Sequence, residues 1–372
     1  MRIGIDARLY SESGVGRYLR NLISSLQKSD LENEYFIFLR AKDYQLFKES
    51  ENFKKVLADI HWYGIKEQIE LPKILNTYKL DLMHFPHFNV PLFYKGKFIV
   101  TIHDLIHQKF HMNRVTTRNP FIYKLKRVGY SLVFRNAVIK SEKIITVSEY
   151  VKEELLGKWK VKQDKIFVTP EAVDEGLASI SKNISNDKSQ QILKKLNVVK
   201  PYIFYVGNAH PHKNIEQLIK VFLSLRREYQ YLKLVLAGPD HYFWQRIKKE
   251  FIHKDIIYTG FLNEEELVVL YKNSQLFVMP SLEEGFGIPL LEAMSLKVPV
   301  VSSDAGSLKE VGGDAVLYFN PKDKEDMKRK IMDGLNNQSL RKQLIEKGEK
   351  RGKDFSWNKM AKQTLGLYKS LK

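Results

Sequence analysis

Two glutamates, Glu284 and Glu292, frame a glycine turn in the stretch SLEEGFGIPLLEAM, residues 281–294. Between them stand Gly285, Phe286 and Gly287, then an apolar run that reads as a helix from Ile288 to Lys297. Pro289 is tolerated there because first-turn amides have no intrahelical partner. Such amides, aligned with the helix dipole, suit an anion such as phosphate. The carboxylates suit hydroxyl groups, for which they are strong acceptors. A ligand with a diphosphate at its middle would meet donors at the turn and an acceptor on either side. An acid–base pair is the rival reading. It needs carboxyls about 5–10 Å apart across a scissile bond. The separation of Glu284 and Glu292 along a helix end amounts to about 12 Å of rise, which makes them poor candidates.

Other chemistry-bearing residues also fall just after strand-like runs. After Tyr202–Val206 comes GNAHPHKNIEQLI, where Gly207 closes the strand and Lys213 stands at a helix start, with Asn214 available as its cap. A lysine beside a helix N-terminus suits a phosphate, although a solvated lysine is the plainer alternative. After the first strand comes SESGVGRYLRNL, in which Gly14 and Gly16 precede a helix opening at Gly16. Glycines allow close approach of backbone to a ligand. The dinucleotide fingerprint requires a third glycine, and Leu19 occupies that place, so a simple turn stays open as the other reading. After Phe98–Ile102 comes His103, next to Asp104, placed to bind or position a polar ligand. His103, His107 and His111 repeat every four residues. A zinc site at that spacing needs a helix, and this segment starts as a strand without a good helix start, so core histidines are the simpler reading.

These residues require a scaffold that delivers loops to one edge. Short apolar runs at Ile3–Ala7, Tyr35–Leu39, Asp81–Phe85, Phe98–Ile102, Ile144–Val147 and Ile166–Thr169 alternate with helical patterns such as Gly16–Lys28 and Tyr63–Tyr78. That alternation predicts βα units on a parallel sheet. Residues 174–190 are polar, rich in Ser, Asn and Asp, and read as a linker. A second series follows, with strands at Tyr202–Val206, Leu232–Ala237, Ile256–Thr259, Leu276–Met279 and Val298–Ser302. The expected organisation is an α/β chain of two Rossmann-like parallel-sheet domains facing across a cleft. Residues 1–174 form the first, joined by a terminal helix over 356–372, and residues 175–355 form the second. Ligands of open parallel sheets bind beyond the carboxyl ends of the strands, which places the chemistry in that cleft.

The chain has 372 residues, 44% hydrophobic and 28% charged, which fits folded domains rather than disorder. It has no cysteine, which excludes disulfides and thiolate chemistry. No stretch is long and apolar enough to span a membrane. The start, MRIGIDARLY, reads as a strand rather than a signal peptide, so a cytoplasmic protein is expected. The net charge of +18 favours an anionic partner. Between Asp104 and Glu142 there is no acidic residue, while Lys109, Arg114, Arg118, Lys124, Lys126, Arg127, Arg135 and Lys140 all lie there. Mixed with aromatic and aliphatic side chains, this segment suits an anionic membrane surface, on the inner face of the cell membrane. A solvated face over a core helix is the alternative. Nucleic-acid binding without transferase activity would also explain the charge, but it leaves Glu284, Glu292 and the glycine turns without a role, and no nucleic-acid module is present.

Taken together, Glu284-x7-Glu292 with its Gly-Phe-Gly insert, the continuation LEAMSLKVPVVSSDAGSLKEVGGDA, YVGNAHPHKN, TGFLNEEEL and SGVGRYLRNL resemble the family 4 glycosyltransferases of GT-B fold, in the expected order and over nearly the whole chain. The resemblance implies retaining transfer of a sugar from a nucleotide-sugar to a glycan or lipid-linked hydroxyl, without a metal or other cofactor, in cell-surface polysaccharide or glycolipid synthesis. GDP-mannose is the leading donor, with UDP-sugars next. It implies that Glu284 holds a hydroxyl of the donor sugar and Glu292 the ribose. Backbone around Gly285, Phe286 and Gly287, with Lys213, would hold the diphosphate, and the Gly14–Gly16 loop would close on it. His103 would meet the transferred sugar near its anomeric centre. Many relatives carry arginines where this chain has Asn208 and His212. Phosphate charge therefore rests more on Lys213 and helix amides, with His212 adding charge only when protonated.

Overall fold

The computed structural model describes residues 1–12, 14–109 and 120–372, without the side chains of residues 120–127 and 175. The chain divides into two compact units, Met1–Glu171 with Trp357–Lys372, and Ala172–Ser356. The first holds strands β1 (Arg2–Asp6), β2 (Glu34–Leu39), β3 (Phe53–Leu57), β4 (Leu82–Phe85), β5 (Phe98–Ile102), β6 (Lys143–Thr146) and β7 (Ile166–Val168). The second holds β8 (Tyr202–Val206), β9 (Lys233–Ala237), β10 (Ile256–Gly260), β11 (Leu276–Met279), β12 (Val300–Ser303) and β13 (Val316–Phe319). The sheets run β3-β2-β1-β4-β5-β6-β7 and β10-β9-β8-β11-β12-β13. All these pairings are parallel. The α/β class with two parallel sheets is what the alternation of apolar runs predicts.

Each sheet starts at its middle, grows to one side, then returns to grow on the other. Strand order therefore reverses between β1 and β4 in the first unit and between β8 and β11 in the second. Loops leaving the carboxyl ends of adjacent strands diverge there and leave a crevice. Strands such as β5 and β11 are buried along their whole length. That requires helices on both faces and explains their continuous apolar sequence. The helix Gly14–Ser29 supplies one such cover, burying Tyr18, Leu19, Leu22, Ile23 and Leu26 on a single stripe.

The terminal helix Trp357–Lys369 packs beside Gly14–Ser29. It buries Trp357, Met360, Ala361, Thr364, Leu367 and Tyr368. The Tyr368 hydroxyl lies 2.6 Å from His84 Nδ1, and His84 Nε2 lies 2.8 Å from Thr101 Oγ1. A buried histidine of β4 thereby finds both its partners, one of them supplied by the chain's last helix.

Several local expectations change. The stretch read as a linker, 174–190, forms helices Glu175–Asn183 and Asn186–Lys195. Ser185 is cap chemistry rather than linker polarity: its side chain accepts from the Lys188 amide, while Leu177, Ile192 and Leu193 are buried. The first helix opens at Gly14, not Gly16. A short helix, Ile106–Lys109, follows His103, its start fixed by the Asp104 carboxylate accepting from the Ile106 amide at 2.9 Å. Within the basic segment, His111, Arg114 and Arg118 lie outside the described residues, as do the side chains of Lys124, Lys126 and Arg127.

Candidate functional site

In the second unit three loops meet where strand order reverses: 207–214 after β8, 280–287 after β11, and 304–307 after β12. Lys213 ends a short 3-10 turn, Pro211–Lys213. Its Nζ donates to both carboxylate oxygens of Glu284, at 2.7 and 2.9 Å. The Ser281 hydroxyl donates to Glu284 Oε1 at 2.6 Å. Glu284 is buried. Burying an ion pair is costly unless its remaining polar sites are met, and Ser281 meets one of them.

Backbone contacts fix these loops to one another. The Leu282 amide donates to the His212 carbonyl at 2.7 Å. Asn214 does not cap the following helix; it adopts a left-handed conformation at φ 58°, and its amide donates to the Pro280 and Pro321 carbonyls, both at 3.1 Å. Gly306, at φ 59°, brings its backbone against Glu284, where a methyl group would lie 2.4 Å from the Glu284 carbonyl oxygen. Ser307 donates from its amide to the Glu284 carbonyl at 3.1 Å, and from its hydroxyl to the Phe286 carbonyl at 2.9 Å. Asn208 accepts from the His210 amide at 3.2 Å and, through its carbonyl, from Tyr205 at 2.8 Å.

Gly287 precedes the helix Ile288–Ser295 at φ 105°, a conformation side chains rarely adopt. The helix N-terminus thus opens beside the Gly285–Phe286–Gly287 turn, with its dipole favouring negative charge. Glu292 is buried on this helix, and Tyr271 donates to its Oε2 at 2.9 Å. Lys213, Glu284, Asn208, His212, Gly285, Phe286 and Gly287 therefore share one loop cluster, with Glu292 one helical stretch beyond. Sequence reasoning missed Ser281, Ser307, Gly306 and Tyr271. Only the Asp-Ala-Gly-Ser run after β12 signalled any of them, since a glycine between small polar residues marks a tight backbone approach.

Gly14, Gly16 and His103 belong to the first unit. A methyl group on Gly16 would lie 2.7 Å from the carbonyl oxygens of Leu9 and Tyr10, so this glycine serves close packing of the helix on the preceding turn. Gly14 has nothing within 4 Å of such a methyl. His103, at the end of β5, places Nδ1 3.1 Å from Glu171 Oε1 and Nε2 2.9 Å from the Pro86 carbonyl. Both partners are acceptors, so a ring satisfying both carries two protons. Burial pulls its pKa down; the hydrogen bond and charge of Glu171, with the Pro86 carbonyl, outweigh burial and leave it raised. Tyr18 meets the ring edge-on, with centroids 4.9 Å apart.

Two doubly wound parallel sheets, with a lysine–carboxylate pair and a glycine turn at the switch point of the second, define the GT-B class of glycosyltransferase. The model described as "Glycosyltransferase Family 4" matches residues 13–177, and that described as "Glycosyl transferases group 1" matches residues 186–351. The chain belongs to the family 4 glycosyltransferases. It is 29% identical over 386 aligned positions to O-antigen chain mannosyltransferase B of Escherichia coli, covering 97% of each chain. It is 28% identical to O-antigen chain mannosyltransferase RfbU of Salmonella typhimurium, covering 74% of this chain and 70% of that one. Anabaena HepE, solved in complex with UDP and glucose, shares the fold at a TM-score of 0.75, 14% identity and full coverage of both chains. The nucleic-acid reading of the charge is left without support.

Proposed function

We propose that the chain transfers mannose from a nucleotide-sugar, GDP-mannose first, to a hydroxyl of a glycan or lipid-linked glycan during assembly of a cell-surface polysaccharide, with retention of configuration and without a metal. The observation carrying this reading is the Lys213–Glu284 pair at the β8/β11 switch point, beside the helix that opens after Gly287. Departure of the nucleoside diphosphate places negative charge on phosphate. A lysine and a helix N-terminus already in position stabilise that charge most in the transition state. Glu284 takes a hydroxyl of the sugar, and buried Glu292, held by Tyr271, takes the ribose. The mannosyl preference is supported by the names of the O-antigen relatives. Incubation with GDP-, UDP- and ADP-sugars and a mannoside acceptor tests the reading. Release of GDP with formation of an α-linked product is expected, and turnover of no nucleotide-sugar would overturn it.

The basic segment is proposed to rest on anionic lipid. In its described part, helix Pro120–Lys140 exposes Val128, Leu132 and Ile139 at 51%, 53% and 60%, in line with exposed Arg135 and next to Lys140. Phe134, Ala137 and Val138 on the other side are buried. An apolar stripe flanked by cations matches an interfacial helix. Lys109 is already paired with Glu154 at 2.8 Å and is left out of that surface. No helix among the described residues is long and apolar enough to cross a membrane. Vesicles containing anionic lipid should sediment the protein at moderate salt; failure to do so removes this part of the reading.

A further inference from the structure

Helix Trp357–Lys369 carries two hydroxyls one turn apart on one face, Thr364 and Tyr368, and both side chains are fully buried in the first unit. They form the two ends of a run of hydrogen bonds. The Tyr368 hydroxyl meets His84 Nδ1 at 2.6 Å, His84 Nε2 meets Thr101 Oγ1 at 2.8 Å, and Thr101 Oγ1 meets the Tyr18 hydroxyl at 3.2 Å. Tyr18 is hydrogen-bonded in turn to the Thr364 side chain. The Thr364 hydroxyl donates to the Met360 carbonyl at 3.0 Å. The run thus leaves the helix at Tyr368, crosses β4, β5 and helix Gly14–Ser29, and returns one turn away.

Counting protons gives the run a direction. Burial, with the nearby His103, holds the His84 pKa down to about 3, so the ring is neutral and carries one N–H. The Thr364 proton is committed to Met360, so Thr364 accepts from Tyr18. With its proton used, Tyr18 accepts from Thr101. Thr101 then accepts from His84 Nε2–H, which leaves Nδ1 to accept from Tyr368. In the opposite direction the buried Tyr368 proton would have no acceptor among the described residues. One ordering satisfies every group, and a buried hydroxyl left unpaired is costly.

Tyr18 is where the run reaches the candidate chemistry. His103 is held at its two nitrogens by Glu171 and the Pro86 carbonyl, which leaves tilt about that line open. The Tyr18 ring, 4.9 Å away and at 84° to it, closes off that tilt. It does so only while its own hydroxyl is fixed. We propose that Thr364 and Tyr368 are positioning residues for His103, acting through His84, Thr101 and Tyr18. A polar run of this kind adds little stability over apolar side chains of the same shape, so what it supplies is orientation. The effect on turnover rests on the reading that His103 meets the transferred sugar; the effect on the His103 ring does not.

The test compares the full chain with Thr364→Val and Tyr368→Phe, which remove the end hydroxyls with little change of shape, and with Thr364→Ser, which keeps one. In nitrogen NMR of the histidine rings, wild-type His84 should show a protonated Nε2 and an acceptor Nδ1. The His103 ring signals should move in the Val and Phe variants and stay in the Ser variant. In transfer assays kcat should fall about tenfold in the first two and recover in the third, with the donor KM unchanged. Wild-type His84 protonated at Nδ1 would overturn the proposal. So would a loss of stability alone, with His103 signals and kcat at wild-type values in both folded variants. Should His103→Ala turn over sugar as the wild type does while Thr364→Val still moves the His103 ring, the positioning stands and the role of His103 in transfer falls.

Discussion

Lys213 and Glu284 come from loops 71 positions apart in sequence, yet the lysine ammonium contacts both oxygens of the carboxylate. The side chains are 16% and 8% exposed, so neither charge is well solvated. The pair holds a cation and an acceptor in register before any donor arrives. A diphosphate can then share the lysine while the carboxylate turns to a sugar hydroxyl.

Lys213→Ala should lower kcat by about 10²–10³-fold, the usual loss when one preorganised donor to developing negative charge is removed. The unpaired Glu284 should also cost about 1–3 kcal/mol of stability. Steady-state kinetics alongside thermal unfolding separate the two effects. Activity within a few-fold of wild type would remove Lys213 from the site.

Tyr271→Phe deletes the hydroxyl that donates to Glu292 and leaves the ring in the core. If Glu292 serves the ribose, a contact alike in ground and transition states, the donor KM should rise while kcat changes little. A fall in kcat at constant KM would place Glu292 in the chemical step instead.

Gly14→Ala and Gly16→Ala should part company. Alanine at 14, the first residue of the helix, meets open space, so the fold should hold. Alanine at 16 must push aside two backbone carbonyls and should lower the melting temperature. If Gly14→Ala keeps its stability but loses donor affinity, Gly14 serves ligand approach; full activity assigns it to the turn alone.

Glu171→Gln probes the charge on His103. The folded-state pKa of His103 is raised, so its contribution to stability is complete below the unfolded value and disappears as pH rises through the folded one. The substitution should therefore destabilise the protein at about pH 6 and much less at about pH 9. Asp104 also acts on the ring, raising its pKa, while Tyr18 packs on it and His84 and His87 lie close enough to be affected by its charge. NMR of the His103 ring should show it protonated above the usual histidine range in wild type and not in the variant. An equal loss of stability at both pH values would contradict a charged ring.

Much of this was legible in sequence because buried parallel strands are written as continuous apolar runs. β5 and β11 are examples, and the residues after them are the unusual ones. Two of the four edge strands, β3 and β13, were not. β3, FKKVL, lies at the sheet margin and carries Lys54 and Lys55 through its middle, so its apolar pattern is broken by the charge that protects an edge. β13 forms one margin of the second sheet, where its two middle residues are only half-buried. The helices at 175–195 were hidden because Ser185 serves both as a cap and as a sign of linker composition. The site was legible as residue types after strands, but its partners were not. Asn214 looks like a cap and instead binds two distant carbonyls, and no local pattern reveals that Lys213 meets Glu284 or that Glu67 gathers Arg8, Tyr63 and Asn89.

The central claim, that the Lys213–Glu284 pair is the donor site of a glycosyltransferase, is tested most directly by the initial rate of Glu284→Ala. The donor should be the nucleotide-sugar that the wild type uses, with a mannoside acceptor, and the variant shown to be folded by its thermal transition. The predicted result is a rate lowered by about 10³-fold or more, in a protein whose unfolding remains cooperative. Near-wild-type turnover by the folded variant would contradict it.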